Sequence, residues 1–525
     1  MVTFAPRSRP GVLVVGIGIL AALPVMGGLS LLSGTATSLE AAPPQAPRAT
    51  RPHLILVSLD TLRADHLGCY GHDRPTSPFL DELARKGVLF EDVAAPSSKT
   101  APSHMSMFTG VHPTVHGVRN YYGRAAWAPS DDLPTVIERA SQAGYITAGF
   151  TGGGMMSSEL GFGRGFDLYD ARGGGADRVF ERAIAWIDDA AGDVQEDESV
   201  FLFLHTYEIH DPYTPPLEWQ AKFVDPNYSG GIDSTRTAYP EDAAEAWKAD
   251  RSFYRNVQER FWGGFDGRKE SEYDHLRDLY DSGIAFTDHL LRGVFEELEK
   301  VGWLESSIVI VTSDHGDGFG EHGTTSHQSI FDEILHVPLI AILPESYPDA
   351  RRGARVTAPV MGVDLASTIV ELLGLDPLPD AQGASWAAHL RGSGGPSGHA
   401  VDYRAVWSEL ATPGNEWLAL RRGPYKYLLH STDTAQRALF DRWFDPGERF
   451  NRAGDMPQVV ERLARDVKFV RAANEQVRLR YPAIKATMGD SSLGALHALG
   501  YAEEGDDGDY DDEDPAVETS EEGGQ

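Results

Sequence analysis

Apolar residues in this chain gather into short, unbroken runs that end on polar or charged positions. HLILVSLD (53–60), ITAGFT (146–151), SVFLFLHT (199–206), SIVIVTSD (307–314) and VPLIAIL (337–343) are of this kind. Such runs are strand-length and β-branched-rich, and hydrophobicity that is continuous instead of alternating predicts strands buried on both faces. Between them, apolar positions recur at helical spacing over 77–87, 133–144, 178–190 and 275–302. Strands alternating with helices predict an α/β fold, a large and mostly parallel sheet sandwiched by helices. In such sheets the site lies beyond the carboxyl ends of the strands, where Asp60, His205 and Asp314 fall.

The rhythm breaks over 215–270, an aromatic-rich stretch read as an insertion over the site within a catalytic domain spanning 51–392. Beyond it, AVWSEL, EWLALRRG, YKYLLH and a helical pattern near 456–477 predict a smaller C-terminal α+β subdomain over 393–501. No internal repeat is found. Near the start, no charge occurs over 10–39, and 12–32 is apolar apart from Ser30, behind Arg7 and Arg9. That is an export element. Its length reaches the roughly 20 residues that span a bilayer, which favours an uncleaved membrane anchor over a cleaved signal and places the folded part outside the cytoplasm. Were the segment cleaved, the protein would be secreted or periplasmic. The Ala/Pro stretch 41–52 completes this N-terminal region (1–50) as a semi-rigid linker.

With 41% hydrophobic and 24% charged residues the chain has an ordinary globular composition. Its net charge of −32, from 46 basic and 78 acidic residues, excludes nucleic-acid binding as its main task. Residues 502–525 carry many acids and no base, a pattern that predicts a solvated, disordered tail. Cys69 is the only cysteine, so no intramolecular disulfide forms and the core must supply stability.

The candidate chemistry lies in SLDT (58–61), SSKTAPSHMSMFTG (97–110), HTYEIHDPY (205–213), TSDHGDGFGEHG (312–323) and SHQSIFDEILHVPL (326–339). Asp60, Asp314 and His315 offer hard oxygens and one imidazole to a divalent cation. A hydroxyl such as that of Thr100, were it bound to such a cation, would be nearly deprotonated. In their order and spacing these segments, with LFDRWFDPGERFN (439–451), resemble the sulfatase family of the alkaline phosphatase superfamily over 51–451.

The resemblance implies a metal-dependent hydrolase whose nucleophile opens a C-x-P-S-R or S-x-P-S-R motif, the Cys or Ser being oxidised to formylglycine. Here the motif reads Thr100-Ala101-Pro102-Ser103-His104, and threonine, a secondary alcohol, cannot give that aldehyde. Unmodified threonine serves in related branches that act on phosphorus. Cys69 falls in LGCYG (67–71), which matches a structural segment of the family, and is read as packing. Thr61 replaces the second Asp that the family carries after its first strand. The family's Lys-x-His pair has no counterpart in AGFTGGGMM (148–156), and its second lysine corresponds to His327. His210 and His327 are read as binding the tetrahedral anion, with His104 or His327 assisting the leaving group. His116, His205 and His322 are read as structural or as supporting the site residues from behind.

The expectation is thus an exported enzyme holding one divalent cation, Mn²⁺, Ca²⁺ or Mg²⁺ ahead of Zn²⁺. It cleaves a phosphodiester, phosphonate or sulfate ester through Thr100, on a small-molecule, lipid or glycan substrate. The alternatives are a sulfatase proper, a phospho-group transferase and an inactive binding homologue. Oligomeric state is not legible.

Overall fold

The structure is a computed structural model and describes residues 51–118, 125–195, 197–236, 252–392, 404–412 and 415–489, with 492, 493 and 496. The export segment, the acidic tail, part of the 215–270 insertion and the junction after 392 lie outside the described residues. No helix among the described residues is long and apolar enough to cross a membrane.

Eight strands form the main sheet: β1 (His53–Leu59), β2 (Val88–Phe90), β3 (Ile146–Phe150), β4 (Leu168–Asp170), β5 (Val200–Thr206), β6 (Ser307–Thr312), β7 (Leu339–Ile342) and β8 (Ala354–Val356). Their order is β8-β2-β7-β6-β1-β5-β3-β4. Every neighbouring pair is parallel except those made by β7, which runs antiparallel to β2 and β6. The run read as VPLIAIL is therefore a strand but a reversed one. Its connection from β6 carries the site loop and a single helical turn, Asp332–Leu335, instead of the crossover helix that a parallel return requires.

β1, β5 and β6 are buried along their whole length, so successive side chains enter opposite apolar layers. Leu54, Leu56, Phe201, Phe203, Ile308 and Ile310 face the layer covered by α2 (Thr100–Thr109), α3 (Val136–Gln142) and α6 (Asp364–Leu373). Ile55, Val57, Leu202, Leu204, Val309 and Val311 face α1 (Pro78–Lys86), α4 (Ala176–Ala190) and the 31-residue α5 (Glu270–Lys300). α3 opens on a capping box, Thr135 Oγ1 accepting from Glu138 N at 3.1 Å while Glu138 Oε2 accepts from Thr135 N at 2.9 Å.

The C-terminal part is a four-stranded antiparallel meander, β9 (Val406–Thr412), β10 (Asn415–Arg422), β11 (Tyr425–His430) and β12 (Arg437–Asp441). Helix α7 (Pro457–Arg478) packs on it through Leu463 and Val467. A buried ionic knot ties it to the catalytic part: Lys426 Nζ reaches Asp332 at 2.8 Å and Glu448 at 2.9 Å, and Arg442 reaches Asp332 at 2.7 Å. β9 also braces the loop leading to Thr100, with Ser408 Oγ donating to Ala95 O at 2.6 Å and Glu409 N to Pro96 O at 2.9 Å.

Candidate active site

Asp60 follows β1 and Asp314 follows β6, two hydrogen-bonded neighbours in the sheet, so the parallel register brings both carboxyls to one edge. Thr61 adopts φ 56°, a left-handed conformation costly for a β-branched residue. Three contacts hold it there. Its amide donates to Asp314 Oδ1 at 3.3 Å, its hydroxyl to the Asp60 carbonyl at 2.7 Å, and Tyr280 Oη donates to its own carbonyl at 2.6 Å. The threonine standing where the family carries a second Asp thus turns its hydroxyl to the backbone.

Thr100 is the first residue of α2, with Lys99 at the N-cap and no side chain capping the helix. Ser103 closes the turn in another way, its hydroxyl donating to Ser97 O at 2.8 Å and accepting from Ser97 N at 3.1 Å. Thr100 Oγ1 lies 3.5 Å from His315 Nε2 and is wholly buried.

One ligand atom each from Asp60, Asp314 and His315 fall within 4.8 Å of one another. Asp60 Oδ1 and Asp314 Oδ2 are buried with no hydrogen-bond partner. His315 Nδ1 donates to the Gly316 carbonyl at 2.9 Å, which leaves Nε2 as a lone pair 3.3 Å from Asp314 Oδ2. Two buried carboxyls and an imidazole lone pair converging in this way are what a divalent cation relieves, so the donor set fits one. Burial and the Asp314 carboxylate push the Asp60 carboxyl well up. Against burial, His315, His104 and His205 pull Asp314 down to about 2.

The imidazoles form a second group beside this one. His210 Nε2 meets His327 Nε2 at 3.1 Å, and the His327 and His315 rings are 4.6 Å apart. His210 Nδ1 faces the Asp211 carbonyl at 2.6 Å. Burial holds His315 at about 4 and depresses His327 and His205, which favours their neutral forms.

All seven residues read from the sequence as catalytic or metal-holding (Asp60, Thr100, His104, His210, Asp314, His315 and His327) are buried near one another through these contacts. His104 takes a different part from the one expected. Its Nε2 meets Ser58 Oγ at 2.8 Å and its Nδ1 the Thr100 carbonyl at 3.0 Å, with Asp314 at 3.7 Å. Both nitrogens are thus engaged by the scaffold. His116 and His322 serve the scaffold, His116 tying Ser106 to Val118 and His322 bridging Glu333 and Glu448. His205 lies 3.3 Å from Asp60 Oδ2 and backs that carboxyl. The insertion borders the site through Trp262, whose Nε1 donates to Asp211 Oδ2 at 3.1 Å.

Three groups were not read from the sequence. Lys99 is fully buried with Nζ 3.2 Å from His327 Nδ1, and burial lowers it to about 7 against the pull of Asp317 and Asp211. Asp317 accepts from Tyr213 Oη at 2.6 Å, and burial together with Asp211 raises it to about 8. Asp211 is the third group. Lysine reads in a sequence as a solvated surface charge, but a cation at a helix N-terminus opposes the helix dipole, and that was the available signal.

The family model for sulfatases matches residues 52–375. The chain belongs to the sulfatase family. A second model, the C-terminal region of N-sulphoglucosamine sulphohydrolase, matches 320–473. An N-acetylglucosamine-6-O-sulfatase of Bacteroides thetaiotaomicron is 22% identical over 484 residues, covering 78% of this chain and 84% of its own. In structure, this sulfatase-family chain superposes on BT4656 in complex with its substrate D-glucosamine-2-N,6-O-disulfate with a TM-score of 0.65 at 20% identity, over 81% of this chain and 99% of the other. The phosphonate monoester hydrolase of Agrobacterium radiobacter gives 0.62 at 20% identity, over 81% and 96%. The protein is a hydrolase of ester bonds with the alkaline phosphatase/sulfatase-like fold.

Proposed function

We propose that this sulfatase-family hydrolase cleaves phosphodiesters or phosphonate esters ahead of sulfate esters, through covalent attack by Thr100. The observation that carries the reading is an unmodifiable hydroxyl, Thr100 Oγ1, placed 3.5 Å from His315 Nε2 beside two unpartnered carboxylate oxygens. Asp60, Asp314, His315 and Thr100 would hold one divalent cation. Bound there, it supplies positive charge that favours an ionised hydroxyl and offsets the charge of a tetrahedral anion.

The residues divide the remaining work. Thr100 Oγ, as the ionised hydroxyl whose proton has gone to solvent, attacks phosphorus in line, and the bond to the leaving oxygen breaks as that oxygen takes a proton from His327 Nε2. The amides of Thr100 and Ala101, in the first turn of α2, favour the anionic ester. Water then attacks phosphorus opposite Thr100 Oγ, giving its proton to the same imidazole, and threonine is regenerated. A formylglycine hydrate expels sulfate by collapsing to the aldehyde, an exit threonine lacks, which is why phosphorus is favoured.

Sulfate-ester hydrolysis is the second reading, favoured by the activity of the Bacteroides relative. Purified protein assayed on a chromogenic phosphodiester, a phosphonate ester and a sulfate, with Mn²⁺, Ca²⁺, Mg²⁺ or Zn²⁺ added, separates the two. Sulfate turned over much faster than either phosphorus ester refutes the first. The N-terminal run supports a location outside the cytoplasm, on a membrane anchor.

A further inference from the structure

Resting on the reading of the N-terminal run as a membrane anchor, we propose that the loop between β12 and α7 docks on the bilayer surface through Trp443, Phe444 and Phe450. Trp443 is 66% exposed, Phe444 88% and Phe450 67%. Three large aromatic side chains left in water on one short loop mark a surface that meets another body.

The rings cannot fold back, because the loop is pinned from beneath. Asp445 N donates to Asp441 O at 2.8 Å, Glu448 N to Asp445 O at 3.0 Å and Arg452 N to Leu439 O at 2.7 Å. Asp445 Oδ2 accepts from Phe450 N at 2.8 Å. Glu448 is buried, and its Oε2 accepts from Lys426 Nζ at 2.9 Å and from Asp332 N at 2.8 Å. The loop is therefore ordered before any partner arrives, which lowers the entropy lost on contact.

Charge selects the kind of partner. The protein has a net charge of −32, yet both acids of this loop are engaged inward by the contacts just given. What 443–452 turns to water is the three rings, Pro446, Asn451 and the arginines Arg449 and Arg452, the last of which pairs with Asp455 at 3.0 Å. Aromatic rings beside arginines fit the headgroup layer of a phospholipid bilayer, where rings sit among the acyl ends and long cations reach phosphate.

The bilayer is also within reach. Residues 33–50 separate the apolar run from the described domain and, fully extended, span about 60 Å. That is more than twice the length of β1, about 23 Å, which separates Arg51 from the site edge of the sheet. A tether this short keeps the membrane at high effective concentration, so a small patch suffices. The loop also touches the connection that carries Asp314, His315 and His327, through the Glu448 carbonyl 3.3 Å from His322 Nε2 and the bond to Asp332 N. Docking holds that connection at the membrane surface.

The test uses the full chain, in a Cys69→Ser background, reconstituted in vesicles of phosphatidylcholine and phosphatidylglycerol. One nitroxide is placed at Phe444→Cys or, as a control, at Lys300→Cys, which is 64% exposed at the end of α5. Spin relaxation by oxygen, which concentrates in lipid, is compared with relaxation by a water-soluble nickel chelate. Oxygen should dominate at 444 and nickel at 300. Adding Trp443→Ser and Phe450→Ser should return the label at 444 to water. A label at 444 as open to nickel as the one at 300 overturns the docking and leaves the anchor standing. A label shielded from both reagents shows contact with a second copy and overturns it too. So does a label that stays in lipid once the neighbouring rings are gone, since the nitroxide then carries the contact itself. If the chain does not float with the vesicles, the anchor reading fails and the proposal fails with it.

Discussion

Replacing Asp60 by Asn should stabilise the metal-free protein while abolishing its response to metal. In the wild type, Asp60 Oδ1 and Asp314 Oδ2 are buried without hydrogen-bond partners. An amide at position 60 keeps the shape, removes one of two adjoining ionisable groups and can donate to Asp314. Satisfying a buried charged acceptor contributes about 1–3 kcal/mol. The folded part is roughly 400 residues, so at about 2.1 cal/mol/K per residue the unfolding entropy is about 0.8 kcal/mol/K. At a pH high enough to strip the Asp60 proton, which until then can itself be donated to Asp314, Asp60→Asn should therefore melt about 1–4 °C higher than chelator-treated wild type. Wild type at a cation concentration 100-fold above Kd gains about 2.7 kcal/mol, or about 3 °C, and the variant gains nothing. pH sharpens the test. Because burial and Asp314 raise Asp60, the folded metal-free protein retains a proton that the unfolded chain releases, and wild-type stability falls as pH rises above the ordinary carboxylate range. The variant lacks that slope, so its advantage widens with pH, while cation binding to the wild type, which displaces the proton, tightens. Calorimetry after chelation, with and without each cation, measures all of this. A variant that keeps the wild-type shift with metal, or melts well below metal-free wild type, refutes the assignment of Asp60.

Other substitutions probe the remaining parts. Lys426→Met takes the cation from Glu448 and leaves Asp332 with Arg442, and should cost about 3–5 kcal/mol in chemical denaturation, whereas an unchanged midpoint would show the knot to be energetically idle. Cys69→Ser should leave turnover within about twofold, since burial and Asp81 push that thiol up to about 12 and it cannot supply a thiolate. Asp314→Ala should lose bound metal and activity together while remaining folded, with metal content read by elemental analysis. Protease added to intact cells, after permeabilising any outer layer, should reach the catalytic domain, and protection would contradict its location outside the cytoplasm.

The strands carrying the site were legible because burial on both faces demands an unbroken apolar run, and each run stops where function starts. β2, β4 and β8 were not, since three residues show no period. The reversal of β7 was hidden because strand direction depends on what lies in the connection. Asp60, Thr100, Asp314 and His315 were legible through motif spacing. The second role of a residue was not: His104 fits its motif position, but its contacts with Ser58 and the Thr100 carbonyl arise only when β1 and α2 pack. Lys99, Asp211 and Asp317 escaped for a related reason. A charge is surface by default, and only tertiary burial sets it beside the site.

The central claim, that Thr100 is the nucleophile, is tested most directly by mass spectrometry of protein quenched in acid during turnover of a phosphodiester. The account predicts a phosphoryl adduct on the peptide containing Thr100, absent in Thr100→Ala, which should also show no turnover. An adduct on another residue, or full turnover by Thr100→Ala, would contradict it.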